Sequence, residues 1–386
     1  MAAAPERLYP QRLYYVANAP VPSPRANAVQ VARMCQAFSA RGVAVELIAP
    51  LEAGGAMEVD AFRARYGFAP DFTLTGIRDL RMPGRNKLYA LRLAAHLARR
   101  PPGLVYGRSI LGCRVAAALG RPAVYEAHVP MAARPPADQK RFAHLARHSR
   151  LAGVVTISAR LREWFVDAWP DLAERTLVAP DGADAGARPD SHERARGARP
   201  RIGYAGSLYT GKGMETIAAL AERCPWADFV VAGGDADERA HWAEQCAACG
   251  NIEFVGQLEH AAVQAFLRGC DVLLAPYRER VSAHGDRIDI ADWMSPLKTF
   301  EYMAAGRPLI ASDLPVLREV LVDDSNAVLV PPADIDAWAW ALADLLAEPE
   351  RAARIGARGR GDLEAHYTWD ARADRILAWL AQGQGA

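Results

Sequence analysis

Short apolar runs alternate with helix-length segments along most of the chain. In the first half, RLYYVAN (12–18) is followed by a segment from about Asn27 to Arg41 that has a helical pattern, and VAVELIAP (43–50) comes next. The other runs of this half are GLVYGRS (103–109), PAVYEAH (122–128) and GVVTIS (153–158). Strands separated by helices in this way predict a parallel sheet with helices on both faces.

The pattern is interrupted once and then repeats. Residues 180–200 contain glycine, proline and charge but no apolar period, which is typical of a linker. A second series follows, with the runs RIGYAGS (201–207), DFVVAGG (228–234), NIEFVG (251–256), DVLLAPY (271–277), RPLIAS (307–312) and NAVLVPP (326–332). We therefore predict an α/β protein with a domain at 1–180, a linker at 181–200 and a second parallel-sheet domain from 201. Ligands are expected at the carboxyl ends of the strands, in a cleft between the domains.

Charge differs between the two halves. The 386-residue chain has a net charge of +1, but its first 190 residues hold 26 Lys/Arg against 16 Asp/Glu, and the remainder 20 against 29. Different partners are therefore expected for the two domains. No apolar run approaches the 18 or so residues of a membrane span, and the first residues lack a signal-peptide core. With only six cysteines, these features predict a cytoplasmic protein without a disulfide framework.

Residues 78–108 form the most basic segment. Within it, NKLYALRLAAHLARR has a helical period with an apolar and a basic face. Two interpretations stay open: a solvated helix packed on its own sheet, or peripheral contact with an anionic membrane or a lipid-linked acceptor. The basic residues are Arg78, Arg81, Arg85, Lys87, Arg92, Arg99, Arg100 and Arg108, against the single acid Asp79.

The loop GSLYTGKG (206–213) is one residue short of a P-loop. Gly206, Gly211 and Lys212 match G-x-x-x-x-G-K-[ST], but Gly213 stands where the Mg²⁺-binding hydroxyl belongs. A lysine at the start of a helix opposes the helix dipole, which favours a phosphate ligand over a ligand-free glycine turn. The missing hydroxyl argues against an ATPase and predicts phosphate binding without a metal.

The stretch SPLKTFEYMAAGRPLIASDLPVLREVL (295–321) is the strongest functional signal. A helix beginning near Ser295 would offer backbone amides to a phosphate. Glu301, one turn later, could accept the two hydroxyls of a ribose. The alternative is a capping serine with a solvent-facing glutamate, which the apolar neighbours Phe300, Tyr302 and Met303 disfavour.

These stretches resemble the retaining glycosyltransferases with the GT-B fold, in the large fourth sequence family typified by bacterial polysaccharide and lipid glycosylating enzymes. YAGSLYTGKG is similar to that family's glycine loop, VAPDGAD (178–184) to its linker and residues 255–277 to its next block. The resemblance implies two Rossmann-like domains facing a cleft. It also implies a second domain at 201–365 and a closing helix at 366–386 that crosses back to the first domain.

The resemblance implies a role for each matching residue. Lys212 would neutralise the leaving diphosphate, the amides of Leu297 and Lys298 would bind its distal phosphate, and Glu301 would bind the ribose. His128, beside the transferred sugar, would complete the catalytic set with Lys212 and Glu301; a packing role for this histidine stays open. The remaining donor-binding positions are Gly206, Ser207, Trp293, Ser295, Pro296 and Thr299. On the acceptor side, the loop APVPSPRANA (19–28) offers Ser23, Arg25 and Asn27.

Two positions depart from the family pattern. Ser207 stands where the family usually has an arginine, so phosphate neutralisation rests on Lys212 or another cation. Trp293 stands where a second glutamate would contact the sugar, eight residues before Glu301. The departures leave two alternatives open besides transfer: a catalytically weakened nucleotide-sugar-binding protein, and a nucleotide-sugar epimerase on the same fold.

The sequence thus predicts a metal-independent, retaining hexosyltransferase in cell-surface glycan or glycolipid synthesis. Its substrate would be a nucleoside-diphosphate sugar, with UDP slightly favoured over GDP, and its acceptor a glycan or a lipid-linked hydroxyl compound. No cofactor, metal or nucleic-acid partner is expected, and the location would be cytoplasmic, including peripheral contact with the inner face of the membrane.

Overall fold

The computed structural model describes residues 10–23, 25–52, 55, 57–79, 84–187, 198–281 and 289–382. The chain forms two units. The first comprises Met1–Pro180 with Trp369–Ala386, and the second comprises Asp181–Thr368. The predicted linker lies partly outside the described residues, at 188–197, and its first residues belong to the second unit, where the Ala183 amide donates to the Tyr367 carbonyl at 3.1 Å.

The first unit is built on a parallel sheet. Its described strands lie in the order β3-β2-β1-β4-β5-β6-β7, and each pairs in parallel with its neighbour. The strands are β1 Arg12–Val16, β2 Ala44–Leu51, β3 Thr73–Arg78, β4 Leu104–Gly107, β5 Ala123–Ala127, β6 Leu151–Thr156 and β7 Thr176–Val178. The helices between them are α1 Ala26–Ser39, α2 Val59–Tyr66, α3 Arg85–Ala98, α4 Ile110–Ala118, α5 Pro136–Ala146 and α6 Ala159–Ala168.

The second unit repeats this architecture. Its described strands lie in the order β10-β9-β8-β11-β12-β13, again all parallel. They are β8 Arg201–Ala205, β9 Asp228–Ala232, β10 Ile252–Gly256, β11 Val272–Ala275, β12 Leu309–Ser312 and β13 Val328–Val330. Its helices are α7 Met214–Arg223, α8 Ala236–Gln245, α9 His260–Arg268, α10 Leu297–Ala305, α11 Ile335–Ala347 and α12 Pro349–Asp362.

Buried strand residues of the second sheet alternate between two apolar clusters. Leu273 belongs to the cluster that also contains Phe300 and Tyr302 of α10. Leu274, the next residue of β11, belongs to the cluster formed with Ile217 of α7 and Trp338 of α11. Because successive strand side chains point to opposite faces, helices cover this sheet on both sides, as predicted.

The last helix, α13 (Trp369–Gln382), belongs to the first unit, where it packs against α1. Arg41, just after α1, binds Asp370 at 2.8 Å and Asp374 at 2.7 Å. Arg372, on the buried side of α13, is 1% exposed and donates to the Ala179 and Pro180 carbonyls at 3.2 and 3.0 Å. The end of the chain thereby contributes a buried cation to the first unit.

Two strands were missed by the sequence pattern. β3, with the sequence TLTGIR, lies at the sheet edge and buries only Gly76 and Ile77, so it lacks a continuous apolar run. β7, Thr176–Val178, is also at the edge of the sheet and buries only Thr176, so it too lacks a buried apolar run. Edge strands are exposed on one side and need less apolar sequence than central strands.

Candidate functional site

The glycine loop follows β8 and ends at Gly213, the N-cap of α7. Its first amide, that of Gly206, donates to the Ala232 carbonyl at 2.9 Å. Gly211 and Gly213 have φ angles of +79° and +119°, which L side chains rarely adopt. A Cβ on Gly211 would lie 2.0 Å from the Arg280 carbonyl oxygen, and one on Gly213 would lie 2.5 Å from the Pro276 ring. Gly213 therefore cannot be replaced by the serine or threonine of a P-loop without a clash.

Two lysines lie at this loop: Lys212 belongs to it, and Lys298 reaches it from α10. The ammonium group of Lys298, on α10, donates to the Tyr204 hydroxyl at 2.9 Å and to the Lys212 carbonyl at 3.1 Å. It also lies 4.1 Å from the centre of the Tyr204 ring and 4.3 Å from that of Tyr277. The ammonium group of Lys212 is 5.6 Å from the centre of the Tyr277 ring. Burial lowers the pKa of Lys212 to about 8.

The first turn of α10 offers unpaired amides. Pro296 occupies the N-cap position, with an extended backbone, and the Thr299 amide donates to its carbonyl at 3.0 Å. The amides of Leu297 and Lys298 precede the first helical hydrogen bond and have no acceptor among the described residues. Ser295 is not the helix cap; its hydroxyl accepts the Asp181 amide at 2.8 Å. The alternative of a capping serine is thus not what the structure shows.

The carboxylate of Glu301 also belongs to α10, one turn after the free amides. Burial raises its pKa to about 7, Asp184 adds to the increase, and Lys298 opposes it. No partner of this carboxylate lies among the described residues, although the Glu301 carbonyl accepts Gln264 Nε2 at 3.1 Å. A half-buried carboxylate without a donor is an acceptor available for ligand hydroxyls.

Trp293 precedes this helix and is half-buried, with its amide donating to the Ile290 carbonyl at 3.0 Å. Ser207, by contrast, is exposed, and its carbonyl accepts the Tyr204 hydroxyl at 2.7 Å. The structure therefore brings Gly206, Ser207, Lys212, Leu297, Lys298 and Glu301 to one edge of the second sheet. Thr299 is different, because its side chain is buried within α10.

The first unit places His128 beside a buried carboxylate that the sequence analysis missed. Glu126, at the end of β5, is fully buried and accepts His128 Nε2 at 2.6 Å, Gln30 Nε2 at 2.6 Å and the Tyr106 hydroxyl. Arg372 of α13 lies 3.4 Å away. Burial alone would raise the pKa of Glu126, but Arg372, His128 and Arg108 hold it well below its usual range.

His128 is consequently neutral at neutral pH. Burial lowers its pKa to about 3, assisted by Arg108 and Arg372 and opposed by Glu126. An ionised carboxylate can only accept hydrogen bonds, so Nε2 of the neutral ring carries the proton and donates it to Glu126. Nδ1 is left as an acceptor and has no partner among the described residues.

The three acceptor-side candidates occupy different environments. The Ser23 amide donates to the Tyr66 hydroxyl at 2.9 Å, and Arg25 is exposed. Asn27 lies at the start of α1, and its side-chain oxygen is buried with no hydrogen-bond partner in the described part of the chain. Gln30, one turn later on α1, contacts Glu126. Asn27 is therefore on the helix that also contacts the carboxylate holding His128, whereas Ser23 and Arg25 lie on the preceding loop.

Each of the two units contains a match to a known protein family. Residues 28–186 match the family model described as Glycosyltransferase Family 4, and residues 199–348 match Glycosyl transferases group 1. The chain belongs to the group 1 glycosyltransferases of family 4.

Curated relatives match part of the chain. A phosphatidyl-myo-inositol mannosyltransferase of Mycolicibacterium smegmatis is 29% identical over 251 residues, which is 62% of this chain and 59% of the relative. A 2-deoxystreptamine N-acetyl-D-glucosaminyltransferase of Streptomyces fradiae is 29% identical over 257 residues, or 62% of this chain and 56% of the relative. The alignments thus span less than two thirds of these relatives.

Solved structures match nearly the whole chain. Sucrose-phosphate synthase from Thermosynechococcus elongatus superposes with a TM-score of 0.72 at 18% identity, covering 95% of this chain and 97% of that one. The Anabaena protein HepE, in complex with UDP, gives a TM-score of 0.73 at 15% identity and covers 96% and 100%. The fold is GT-B. Among the described helices, none combines the length and apolarity needed to cross a membrane.

Proposed function

We propose that this protein is a retaining glycosyltransferase that moves a sugar from a nucleoside-diphosphate donor to an acceptor hydroxyl. One observation carries the proposal: Lys212, Lys298 and Glu301 converge with free helix amides at one edge of the second sheet, and no described residue forms an ion pair with any of these side chains. Cations and amides suit a diphosphate, and an unpaired carboxylate suits the two hydroxyls of a ribose.

The chemistry would depend on the departing diphosphate. Lys212 and the amides of Leu297 and Lys298 would stabilise the negative charge that develops as the glycosidic bond breaks. The diphosphate oxygen would then take the proton of the acceptor hydroxyl on the same face of the sugar, which retains the anomeric configuration. His128 Nδ1, fixed as an acceptor by Glu126, would bind a hydroxyl of the transferred sugar. These roles require no metal, and we propose a metal-independent reaction.

The relatives suggest the substrate classes. One mannosyltransferase of Mycobacterium tuberculosis, 26% identical over 240 residues, is named as GDP-mannose-dependent and acts on phosphatidylinositol monomannoside, whereas HepE was solved with UDP. We propose a hexose donor and a glycan or glycolipid acceptor, with both bases to be tested. The named relatives are transferases, and none of them favours the epimerase alternative.

Product analysis tests the proposed reaction. Candidate nucleotide sugars would be incubated with the protein, with and without a glycolipid acceptor and with and without EDTA. A transferase releases nucleoside diphosphate and forms an acceptor product with retained configuration, in EDTA as well. An epimerised nucleotide sugar or no product with any donor would contradict transfer, and activity lost in EDTA and restored by Mn²⁺ would contradict metal independence.

At pH 8, above the Glu301 pKa of about 7, Glu301→Gln is expected to weaken the binding of both free nucleotide and nucleotide sugar by about 1.5–3 kcal/mol, because it removes a charged hydrogen-bond acceptor. Trp293 has only an indole N–H donor, so we expect Trp293→Ala to spare nucleotide binding and reduce turnover. Titration calorimetry with both ligands measures the difference. If Glu301→Gln binds nucleotide as tightly as the wild type, Glu301 does not bind the ribose. The match to the family pattern that places Trp293 at the sugar would then fail as well.

The outer face of α3 supports a peripheral membrane contact for the first unit. Tyr89, Leu93 and Leu97 are buried, so the helix packs on its own unit. Arg85 and Lys87 are exposed, and Leu91 between the basic residues is 68% exposed. The other basic residues of 78–108 differ in environment. Arg92 donates to the Arg78 carbonyl, Arg100 pairs with Glu46, Arg108 lies near Glu126, and Arg81 lies outside the described residues.

Sedimentation with anionic vesicles is expected to show binding at low salt that weakens at high salt, because exposed cations attract anionic lipid. The double substitution Arg85→Glu with Lys87→Glu should abolish it. Arg114→Glu with Arg147→Glu changes two exposed arginines elsewhere on the first unit and serves as the matched control. If the protein does not sediment with anionic vesicles at low salt, the proposed membrane contact is wrong and α3 is a solvated helix packed on its own sheet.

A further inference from the structure

The Lys298 side chain makes contacts to which the sequence analysis assigned no role. Its amide was expected at the phosphate, but its ammonium group also reaches the glycine loop. Nζ lies 3.6 Å from the position that a Cβ on Gly206 would occupy, and 3.1 Å from the Lys212 carbonyl. Lys298 is 9% exposed. The second cation at this loop is therefore a buried group that approaches from α10.

This ammonium group lacks a counter-ion. Its polar contacts are the Tyr204 hydroxyl and the Lys212 carbonyl, both neutral acceptors, and its other close neighbours are the faces of Tyr204 and Tyr277. These contacts use two of its three N–H donors. Within the described part of the chain it forms no ion pair, and a buried charge without a partner is unfavourable.

The charged groups around Lys298 explain its protonation. Burial lowers its pKa well below the usual value, Lys212 lowers it further, and Glu301, one turn along α10, opposes the change. Glu215 of α7 also faces the loop, where it accepts the Gly211 amide at 3.1 Å. The two lysines repel each other, and neither acid forms an ion pair with them, so the protonated form of Lys298 is disfavoured until an anion arrives.

We propose that Lys298 is a second anion-binding cation of the glycine loop and takes up a proton from solvent when the donor's diphosphate binds. The inference rests on the proposed function, because it assigns a residue and a linkage to the same donor site. The bound state then holds more protons than the free state, so raising the pH weakens donor binding. A cation on α10 also explains why the loop can have the neutral Ser207 where the family usually has an arginine, because α10 then supplies the positive charge.

The thermal stability of the free protein distinguishes anion binding by Lys298 from a purely structural role. If Lys298 serves to hold Tyr204 and the loop in place, Lys298→Met should destabilise the free protein. If it is instead an anion-binding group without a counter-ion, the same substitution replaces a buried polar head by an apolar side chain and leaves the thermal midpoint unchanged or higher. The Tyr204 hydroxyl retains the Ser207 carbonyl as an acceptor in either case.

Calorimetry with a nucleotide sugar tests the proton linkage. A nucleotide sugar lacks the titrating phosphate monoester of a free diphosphate, so protons taken up belong to the protein. UDP-glucose and GDP-mannose would be titrated into the full chain at pH 8 in two buffers that differ in ionisation enthalpy. We expect the binding enthalpy of the wild type to differ between the two buffers, which shows net proton uptake on binding.

At pH 8 Lys212, with a pKa of about 8, also takes up protons when the diphosphate binds, and that share should remain in Lys298→Met. Lys298→Met should lose the rest of the uptake and bind about 10–100-fold more weakly, as for loss of one charged hydrogen bond; unchanged uptake in the folded variant would overturn the assignment. Lys140→Met, a change of an exposed lysine on α5 of the first unit, is the control that should behave as wild type. Tight binding of either sugar nucleotide with equal enthalpies in both buffers overturns the assignment of Lys298, even if Lys298→Met fails to fold. No binding of any nucleotide sugar would instead contradict the proposed function, and this assignment with it.

Discussion

Lys212→Ala is expected to lower turnover by about 10²–10³-fold, the loss typical of removing one preorganised donor of positive charge. Lys212 lies between Gly211 and Gly213, whose φ angles and close neighbours fix the backbone of the loop, so the substitution should leave the loop in place. Its ammonium group forms no ion pair among the described residues and is free to contact the leaving group. Steady-state kinetics with the preferred nucleotide sugar measure the effect.

The control for Lys212→Ala is Lys140→Ala, which changes an exposed lysine on α5 of the first unit. Thermal unfolding of both variants should match the wild type, so that lost turnover is not lost folding. If Lys212→Ala keeps wild-type turnover while remaining folded, the leaving diphosphate is stabilised by other groups and the role assigned to Lys212 is wrong.

Glu126→Gln is expected to reduce the free energy of unfolding by about 3–5 kcal/mol, the cost of leaving a buried charge without its partner. Arg372, 1% exposed, would lose its carboxylate, and the new amide would face the donors of Gln30, Tyr106 and His128. Denaturant unfolding at pH 7 measures the change.

Glu46→Gln is the matched control for Glu126→Gln. Glu46 is a buried carboxylate of the same sheet that accepts Thr75 and His96, but its partner Arg100 is 41% exposed and can be solvated when the charge is lost. A smaller loss of stability is therefore expected for Glu46→Gln. Equal losses in the two variants would show that the pairing with buried Arg372 is not what makes Glu126 important.

The pH dependence of this stability has a definite sign. Because the folded-state pKa of Glu126 is held below its usual value, the stabilisation it contributes is present above the pKa of an unfolded glutamate, about 4.3. It is lost as the pH falls below that value, since protons then bind the unfolded chain first. The difference between wild type and Glu126→Gln should consequently persist at pH 5 and shrink in more acidic solution.

The local pattern of apolar residues was sufficient to predict most of the strands and the two-domain architecture. Central strands such as β1 and β5 are buried on both faces, so they appear in the sequence as apolar runs, and the glycine loop and the start of α10 could be located from motif spacing. The edge strand β3 could not, because its alternating residues are half exposed.

The side-chain environments of the sites could not be predicted in the same way. Lys298 contacts Tyr204 across 94 positions of sequence, and Arg372 contacts Glu126 across 246. Neither pair belongs to a shared motif. The available signals were single charges in apolar surroundings, Glu126 inside the strand AVYEA and Arg372 on the buried side of α13, and such signals indicate burial without identifying the partner.

The central claim is that the glycine loop and the first turn of α10 bind a nucleoside diphosphate. Thermal unfolding with UDP, GDP, ADP and dTDP tests it most directly, because a ligand that binds only the folded state raises its stability. We expect at least one of the four to raise the unfolding midpoint of the wild type, and to raise it much less in Lys212→Ala. No shift of the wild type with any of the four, or an equal shift in both proteins, would contradict the account.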